Sequence, residues 1–583
     1  MEQKKCQQCA NDFTVTDGDL DFYQKIGPTF DGKKFSIPSP TLCVDCRSQR
    51  RLAWRNERVL YNRECDLCKK QMVSLYHQDS PYTVYCQECF WSDGWDPLNN
   101  RQDYDFDRPF FAQLAEIQKT SPRLNLLNDN SENSDYANHS GWNKDCYLVY
   151  ATFSCENVMY GRHNLDSANS IDCDSVYMKS QYCYECDTMD NSYKTKYSMH
   201  SADCSESSFL YDCRNCKNCY MCVNLRNKEY CIGNKQYTKE EYEKMLPDLG
   251  SRQVVNNDKK KFWEMVKNSV HVFSHQKNCE NSTGDEITNL KDCFNVYDFE
   301  KSENCMNVDI GENAVNCHDC FGIGRPAENL YEIHGMARGV NCAFCHASYN
   351  STNVYYADNC QNCQDIFGCV SLKKNQYCIL NKQYSKEEYD KLAAKIIEHM
   401  QNKGEWGEFF PVTLSPFAYN ETFANYYFPL DKEGAAKIGA KWLDQDYSKK
   451  YEGETYEPKD NIKDYIGNDE ERQKLLDGVL KCEVTGKAYK IMSRELAFYL
   501  EQGIPIPTKH PETRFAERFA RRNPRKLYKR QCMCEGKVSS GKDQGSSEGC
   551  MHEGRCINMF ETTYAPDRLE KVYCEECYRK VVI

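Results

Sequence analysis

The sequence predicts a mainly β protein: two tandem cysteine-rich β-solenoid segments with capping helices, flanked by treble-clef metal modules. Three observations carry this. Cys213–Met245 returns 147 residues later as Cys360–Leu392, with 18 of 33 positions identical. Around both copies, short apolar or aromatic runs such as CYLVY, NVMYG and SSFLYDC alternate with Asn, Asp and Ser, as strands alternate with turns. At the two chain ends, cysteines gather into Cys-x-x-Cys pairs.

Composition narrows the class. The 583 residues allow three to five domains, and the net charge of −12 excludes a polycation, so nucleic-acid contact would need local basic patches. Forty-one tyrosines suit half-buried rings on solenoid or sheet surfaces. MEQKKCQQCANDF lacks the apolar core of a secretory signal, and no stretch approaches a membrane span. The 37 cysteines, an odd number, are therefore read as those of a cytoplasmic protein, where paired cysteine more often means metal than disulfide.

Residues 1–97 read as a double treble-clef zinc domain. Cys6/Cys9 with Cys43/Cys46, and Cys65/Cys68 with Cys86/Cys89, each supply four thiolates at the spacing of a structural zinc site. After Cys46 the run RSQRRLAWRNERVL predicts a helix whose Arg47, Arg51, Arg55 and Arg58 share one face. Guanidinium forks in a stripe suit phosphate contacts; the alternatives are pairing with acids of this chain, or plain solvation.

After a linker (98–134), the first solenoid with its capping helix takes residues 135–250 and the second 279–400, joined by a bridging helix over 251–278. Cysteines at 146, 155, 173, 183, 204, 213, 222 and 231 are separated by 9, 18, 10, 21, 9, 9 and 9, which predicts roughly 18–20 residues per coil. Asn or Asp before so many of these cysteines predicts a turn residue followed by an inward thiol, with thiols stacked in ladders. Two metal readings stay open. Cys213, Cys216, Cys219 and Cys222 resemble an iron–sulfur run with the wrong last spacing, and Cys317-His318-x-Cys320 and Cys342-x-x-Cys345-His346 could bind further zinc. Thr238-x-x-Glu241 and Ser385-x-x-Glu388 predict capping boxes that open the closing helices. His271 and His275, four apart on the expected bridging helix, lack the glutamate of a zincin and read as packing residues. Residues 401–480 form an extended aromatic connector with one helix near KEGAAKIGAKWL.

Residues 481–583 repeat the first domain in degenerate form. Cys6 corresponds to Cys482, but Cys9, Cys43 and Cys46 fall on Thr485, His510 and Thr513, so the first metal site is expected to be lost. The second is retained as Cys532, Cys556, Cys574 and Cys577, with Cys534 as the alternative to Cys532. Arg514, Arg518, Arg522 and Arg525 reproduce the arginine stripe.

The motifs PTLCVDCRSQRRLAWRNERVLY, FWSDGWDPL, SFLYDCRNCKNCYMCVNLRNKEYCI and TYAPDRLEKVYCEECY resemble an uncharacterised family of cysteine-rich proteins from uncultivated, small-genome bacteria. The resemblance covers most of the chain and implies zinc-ribbon ends around a cysteine-rich middle, without an established activity. The expected cofactor is about three structural zinc ions. No Ser/His/Asp grouping, phosphate loop or paired carboxylate marks an enzyme or a small-molecule substrate. The expected role is non-catalytic: binding RNA, DNA or a ribonucleoprotein through the two arginine stripes. The alternatives are a protein-interaction scaffold using the Tyr-rich solenoid surface, and a thiol-rich redox or metal-storage protein.

Overall fold

The computed structural model describes residues 1–307, 309–312, 317–318, 321–323, 328–333, 335, 348–349, 351–447, 451–536, 552 and 554–582. Both cysteine arrays are parallel β-solenoids. Their register gives the coil length directly: Asn138 pairs with Tyr150, Gly141 with Phe153, Lys217 with Glu229, Thr352 with Gln364. Each coil holds twelve residues, not the 18–20 expected from cysteine spacing.

The reason is a repeat of three. Asp145, Leu148, Ala151, Ser154, Asn157 and Tyr160 all have φ near +50°. The residue after each points inward and is buried, as with Cys146, Val149, Thr152, Cys155 and Val158. Four such triplets close one coil. Cysteine intervals of 9, 18 and 21 are multiples of three and mark inward positions, not coils. The interval of 10 contains a one-residue insertion: Asp174 pairs with Asp187, thirteen on, and Met178 and Lys179 both have positive φ. The second array contains the opposite change, an eleven-residue coil in which Gln276 pairs with Ile287. There Gly284 passes so close to Val296 that a Cβ would stand 1.8 Å from its carbonyl oxygen.

Hydrogen bonding explains the composition. Two of the three N–H groups in a triplet reach neighbouring coils: Tyr147 N–H bonds to Val158 O at 3.0 Å, and corner residue Tyr160 N–H to Tyr147 O at 3.0 Å. Where the coil before carries Ser or Asn at the matching inward position, the inward residue's N–H meets that side chain. Ser201 Oγ accepts from Cys213 N–H (3.1 Å) and donates to Met199 O (3.0 Å); Asn143 Oδ1 accepts from Cys155 N–H (3.1 Å). A buried N–H needs such a partner, so inward positions favour small polar side chains. Cysteines there donate to carbonyls: Cys213 Sγ lies 3.5 Å from both Tyr211 O and Cys222 O. At the corners, Asn and Asp tolerate the left-handed backbone and bond coil to coil, as in Asn215–Asn227 (2.8 Å) and Asn191–Asp203 (2.8 Å).

The arrays are closed as the capping boxes predict. Thr238 and Ser385 open the helices Lys239–Met245 and Lys386–Lys403, each with reciprocal bonds to Glu241 or Glu388. The 147-residue repeat also extends further back than the cysteines show. Helix Phe110–Thr120 and strand Arg123–Leu124 lead into the first array, and helix Arg252–Asn268 and strand Val270–Val272 lead into the second. The expected bridging helix over 251–278 therefore stops at Asn268, where Ser269 caps it, and His271 lies on a strand.

Each leading strand pairs in parallel with one end module: Arg123–Leu124 with Val84–Tyr85, and Val270–Val272 with Lys571–Tyr573. The modules then cross over. The N-terminal one packs on the second array, with Phe30 against Tyr355, and Trp54 against Phe410 of the connector. The C-terminal one packs on the first array, with Tyr499 against Tyr184. Along the connector, Phe409, Phe410, Phe417 and Phe423 are buried on these neighbours, and its helix covers only Lys432–Lys437. Among the described residues, no helix is long and apolar enough to cross a membrane.

The inward N–H requirement is testable at Ser198, whose Oγ accepts from Leu210 N–H at 3.0 Å. Ser198→Ala should cost about 1–3 kcal/mol, the penalty of an orphaned buried donor, and Ser198→Cys distinctly less, read from urea denaturation midpoints.

Candidate metal centres

The twelve cysteines expected as ligands form three groups of four: Cys6/Cys9/Cys43/Cys46, Cys65/Cys68/Cys86/Cys89 and Cys532/Cys556/Cys574/Cys577. Within each, the sulfurs lie within 4.8 Å of one another. The sequence builds them in two local pieces. The first is a knuckle between antiparallel strands, Glu2–Lys5 with Asp12–Val15 and Tyr61–Glu64 with Gln71–Ser74. In it Cys6 N–H bonds to Asn11 O and Cys65 N–H to Lys70 O, both at 2.9 Å, and Ala10 or Lys69 takes positive φ to make the turn. The second is a helix start, Val44–Leu52, Gln87–Trp91 or Glu575–Val582, which places the second pair on its first turn.

The geometry suits a tetrahedral ion. Bonds of about 2.3 Å to sulfur give a tetrahedral S–S edge of about 3.8 Å. Cys9 and Cys43 stand 3.7 Å apart, and Cys68 and Cys86 3.8 Å. Backbone donors also favour the thiolate. Cys43 N–H points at Cys6 Sγ (3.3 Å), Cys86 N–H at Cys65 Sγ (3.3 Å) and Cys574 N–H at Cys532 Sγ (3.2 Å). Burial opposes ionisation of Cys65, but N–H groups of Cys68, Cys86 and Leu67 outweigh it and hold the thiol below its ordinary range.

In the third centre Cys532, not Cys534, completes the group of four. Cys534 forms a second set with His552 and Cys577. His552 Nδ1 is 2.8 Å from Gly554 O, which leaves Nε2 3.5 Å from Cys577 Sγ. The lost fourth site keeps its knuckle, with Cys482 N–H on Lys487 O at 2.8 Å and Gly486 at φ 71°. Burial works against the Cys482 thiolate, yet bonds from Thr485, Thr513 and the His510 backbone bring the thiol down to about 6.

Two cysteines at the start of the first solenoid behave differently. Cys146 and Cys155 are pushed up by burial to about 11 and about 12, so they are neutral donors to the backbone at neutral pH. The partner residues Cys320, Cys342, Cys345 and His346 of the two further expected zinc motifs lie outside the described residues.

The arginine stripes require a correction. The expected helix over 47–60 ends at Leu52, and its copy at Phe519, so Arg55, Arg58, Arg522 and Arg525 follow the helices. All eight side chains are nearly buried and directed at the same chain. Arg47 Nη1 donates to Leu42 O (2.9 Å), and Arg514 Nη1 to the matching Lys509 O (3.0 Å). Arg51 faces Glu332, Arg55 pairs with Glu57, and Arg58 pairs with Glu512 between the rings of Tyr150 and Phe515. Arg514 and Arg518 share Asp172, Arg518 also takes Asp174, and Arg522 and Arg525 take Asp187 and Asp298. Instead of forming a phosphate-binding face, the C-terminal stripe grips solenoid carboxylates. In the N-terminal stripe Arg51 reaches the second array, Arg47 and Arg55 bond within their own module and Arg58 ties the two end modules together. Helical periodicity located the charge; what it faces is set by tertiary packing.

One cluster had no sequence signal. His200, His275 and Glu286 bring three ligand atoms together where the two solenoids meet. His275 is not on the helix expected to carry it, and His200 and Glu286 come from different arrays. No protein-family model matches the chain, and neither does any curated protein sequence.

Removing one arginine should show the grip. Arg518→Ala leaves buried Asp174 without its ion-pair partner and Asp172 with Arg514 alone, an expected loss of about 3–5 kcal/mol. Limited proteolysis should then release the C-terminal module early, while an exposed phosphate-binding arginine would leave stability within about 0.5 kcal/mol.

Proposed function

We propose that the protein is a non-catalytic, zinc-stabilised solenoid scaffold of the bacterial cytoplasm that presents its outer surface to a protein partner. The observation that favours a scaffold over a nucleic-acid binder is the engagement of all eight stripe arginines with groups of their own chain, most of them buried or half-buried carboxylates. The donor sets favour zinc: four thiolates at tetrahedral spacing, supported by backbone N–H groups, are the ligands of structural zinc rather than of oxygen-seeking cations.

The surface suits docking because aromatic rings climb the outside of the coils. Tyr136 contacts Tyr147 and Tyr147 contacts Tyr160, with ring centroids 5.0 and 5.9 Å apart; Trp142 contacts Phe153 at 6.4 Å. Further along, rings of this kind are covered by the C-terminal module, whereas Tyr136, Trp142 and Tyr193 stay exposed. Exposed Tyr and Trp on a rigid backbone give large contact area at small entropic cost.

Elemental analysis of the purified protein should give at least three zinc ions, falling by one in Cys574→Ser; iron in place of zinc would sink the reading. Affinity capture should recover a stoichiometric protein that survives nuclease treatment and is lost in Trp142→Ala/Tyr193→Ala. If the wild type instead binds RNA or DNA with an affinity that falls steeply with salt, the nucleic-acid reading replaces this one.

A further inference from the structure

We propose that His200, His275 and Glu286 form a further metal site, for a divalent transition cation held by nitrogen and oxygen, that joins the two solenoids. The site is independent of the tetrathiolate centres. His200 and Glu286 are corner residues, with φ 52° and 54°, of the first and second arrays. Corner side chains radiate from the coils, so residues of two adjacent solenoids can meet there. His275 lies between strand Val270–Val272 and the first strand of the second array, Gln276–Lys277.

The two imidazoles stack in parallel, with centroids 4.1 Å apart and planes at 13°. Both Nδ1 atoms converge on one carboxylate oxygen: Glu286 Oε1 lies 2.6 Å from His200 Nδ1 and 3.2 Å from His275 Nδ1. His275 Nδ1 is also 3.1 Å from Asp285 Oδ1, which accepts the His275 backbone N–H at 2.8 Å. Neither His200 Nδ1 nor Glu286 Oε1 has a hydrogen-bond partner of acceptable geometry among the described residues, although both are shielded from water. With the proton of a neutral His200 on Nε2, its Nδ1 lone pair faces a carboxylate lone pair at 2.6 Å, and the two repel unless positive charge lies between them. Protonating both stacked rings would place two like charges face to face. A dication bound by two nitrogens and one carboxylate oxygen satisfies all three atoms at once, and this donor set selects zinc, nickel, cobalt or iron(II) over magnesium or calcium.

The surroundings reinforce the preference for a cation. Asp190 and Asp212 lie within electrostatic reach; burial and the Glu286 charge push Asp190 up to about 6. Asp285 Oδ2 is held by Thr563 at 2.7 Å, which steadies the second carboxylate beside His275. Arg214 of the first array donates Nη1 to the His200 carbonyl.

Cobalt(II) added to the full-length protein, after mild chelation that strips nitrogen- and oxygen-held metal and leaves the tetrathiolate ions in place, tests the assignment. The expected result is one additional cobalt ion per chain, giving weak visible d–d absorption without sulfur-to-cobalt charge transfer. Glu286→Gln and His200→Ala should each weaken uptake about tenfold or more, as loss of a ligand does, with unchanged far-ultraviolet circular dichroism. No uptake by the wild type, equal uptake by both variants, or charge-transfer absorption rising in step with bound cobalt would each overturn the proposal. Failure of the tetrathiolate reading would look different: the protein as purified would carry no tightly held metal before cobalt was added.

Discussion

Each inward residue of these solenoids carries a backbone N–H that the parallel ladder does not reach, and the rest of the molecule follows from how that donor is satisfied. Where an apolar side chain such as Val149 or Leu210 takes the inward position, it fills the narrow core but cannot accept the next coil's N–H. Serine, cysteine, asparagine and threonine are small enough to fit and polar enough to accept or donate. Hence the runs of Cys213, Cys216, Cys219 and Cys222, which look like a cofactor cage in sequence and are one inward position per side of a coil. The same economy puts Asn and Asp at corners, where their amides form ladders outside the core.

A core of this kind buries little apolar volume, so much of the hydrophobic stabilisation must come from what packs on the outside. Tyrosines, phenylalanines and the arginine–carboxylate pairs fill that role. Arg514, Arg518 and Asp172 are almost fully removed from water, where an ion pair contributes less to net stability than to orientation, because wrong docking leaves a charge unpaired. The C-terminal module has lost one of its two metal sites yet keeps Arg514, Arg518, Arg522 and Arg525 on solenoid carboxylates. A decayed centre is tolerable where side chains already hold the module; the retained centre supports the strand that pairs with Val270–Val272.

Local features were legible in the sequence. Cys-x-x-Cys pairs, the capping boxes and the degenerate C-terminal copy each depend on residues a few positions apart, and the structure places Cys532, Cys556, Cys574 and Cys577 together as their spacing predicts. Coil length was not legible from cysteine alone, since any multiple of three imitates a longer period; the triplet shows only when Ser, Thr and Asn are counted as the same inward class. The arginine faces were legible as faces, but nothing within nine residues of Arg518 reveals Asp172. His200 and Glu286 belong to different repeats, and only the packing of one solenoid on the other joins them.

The crossed docking of the end modules has a consequence for biosynthesis. The N-terminal module emerges from the ribosome first, yet Trp54 and Phe30 are buried by residues more than 300 positions later, including Tyr355 and Phe410. Its cysteines can capture an ion at once, because Cys6 to Cys46 and Cys65 to Cys89 are short loops. Its apolar face stays uncovered until the second solenoid is complete. Vectorial synthesis and final packing are therefore out of step, and the thiolate centres are what can hold the module folded during that interval.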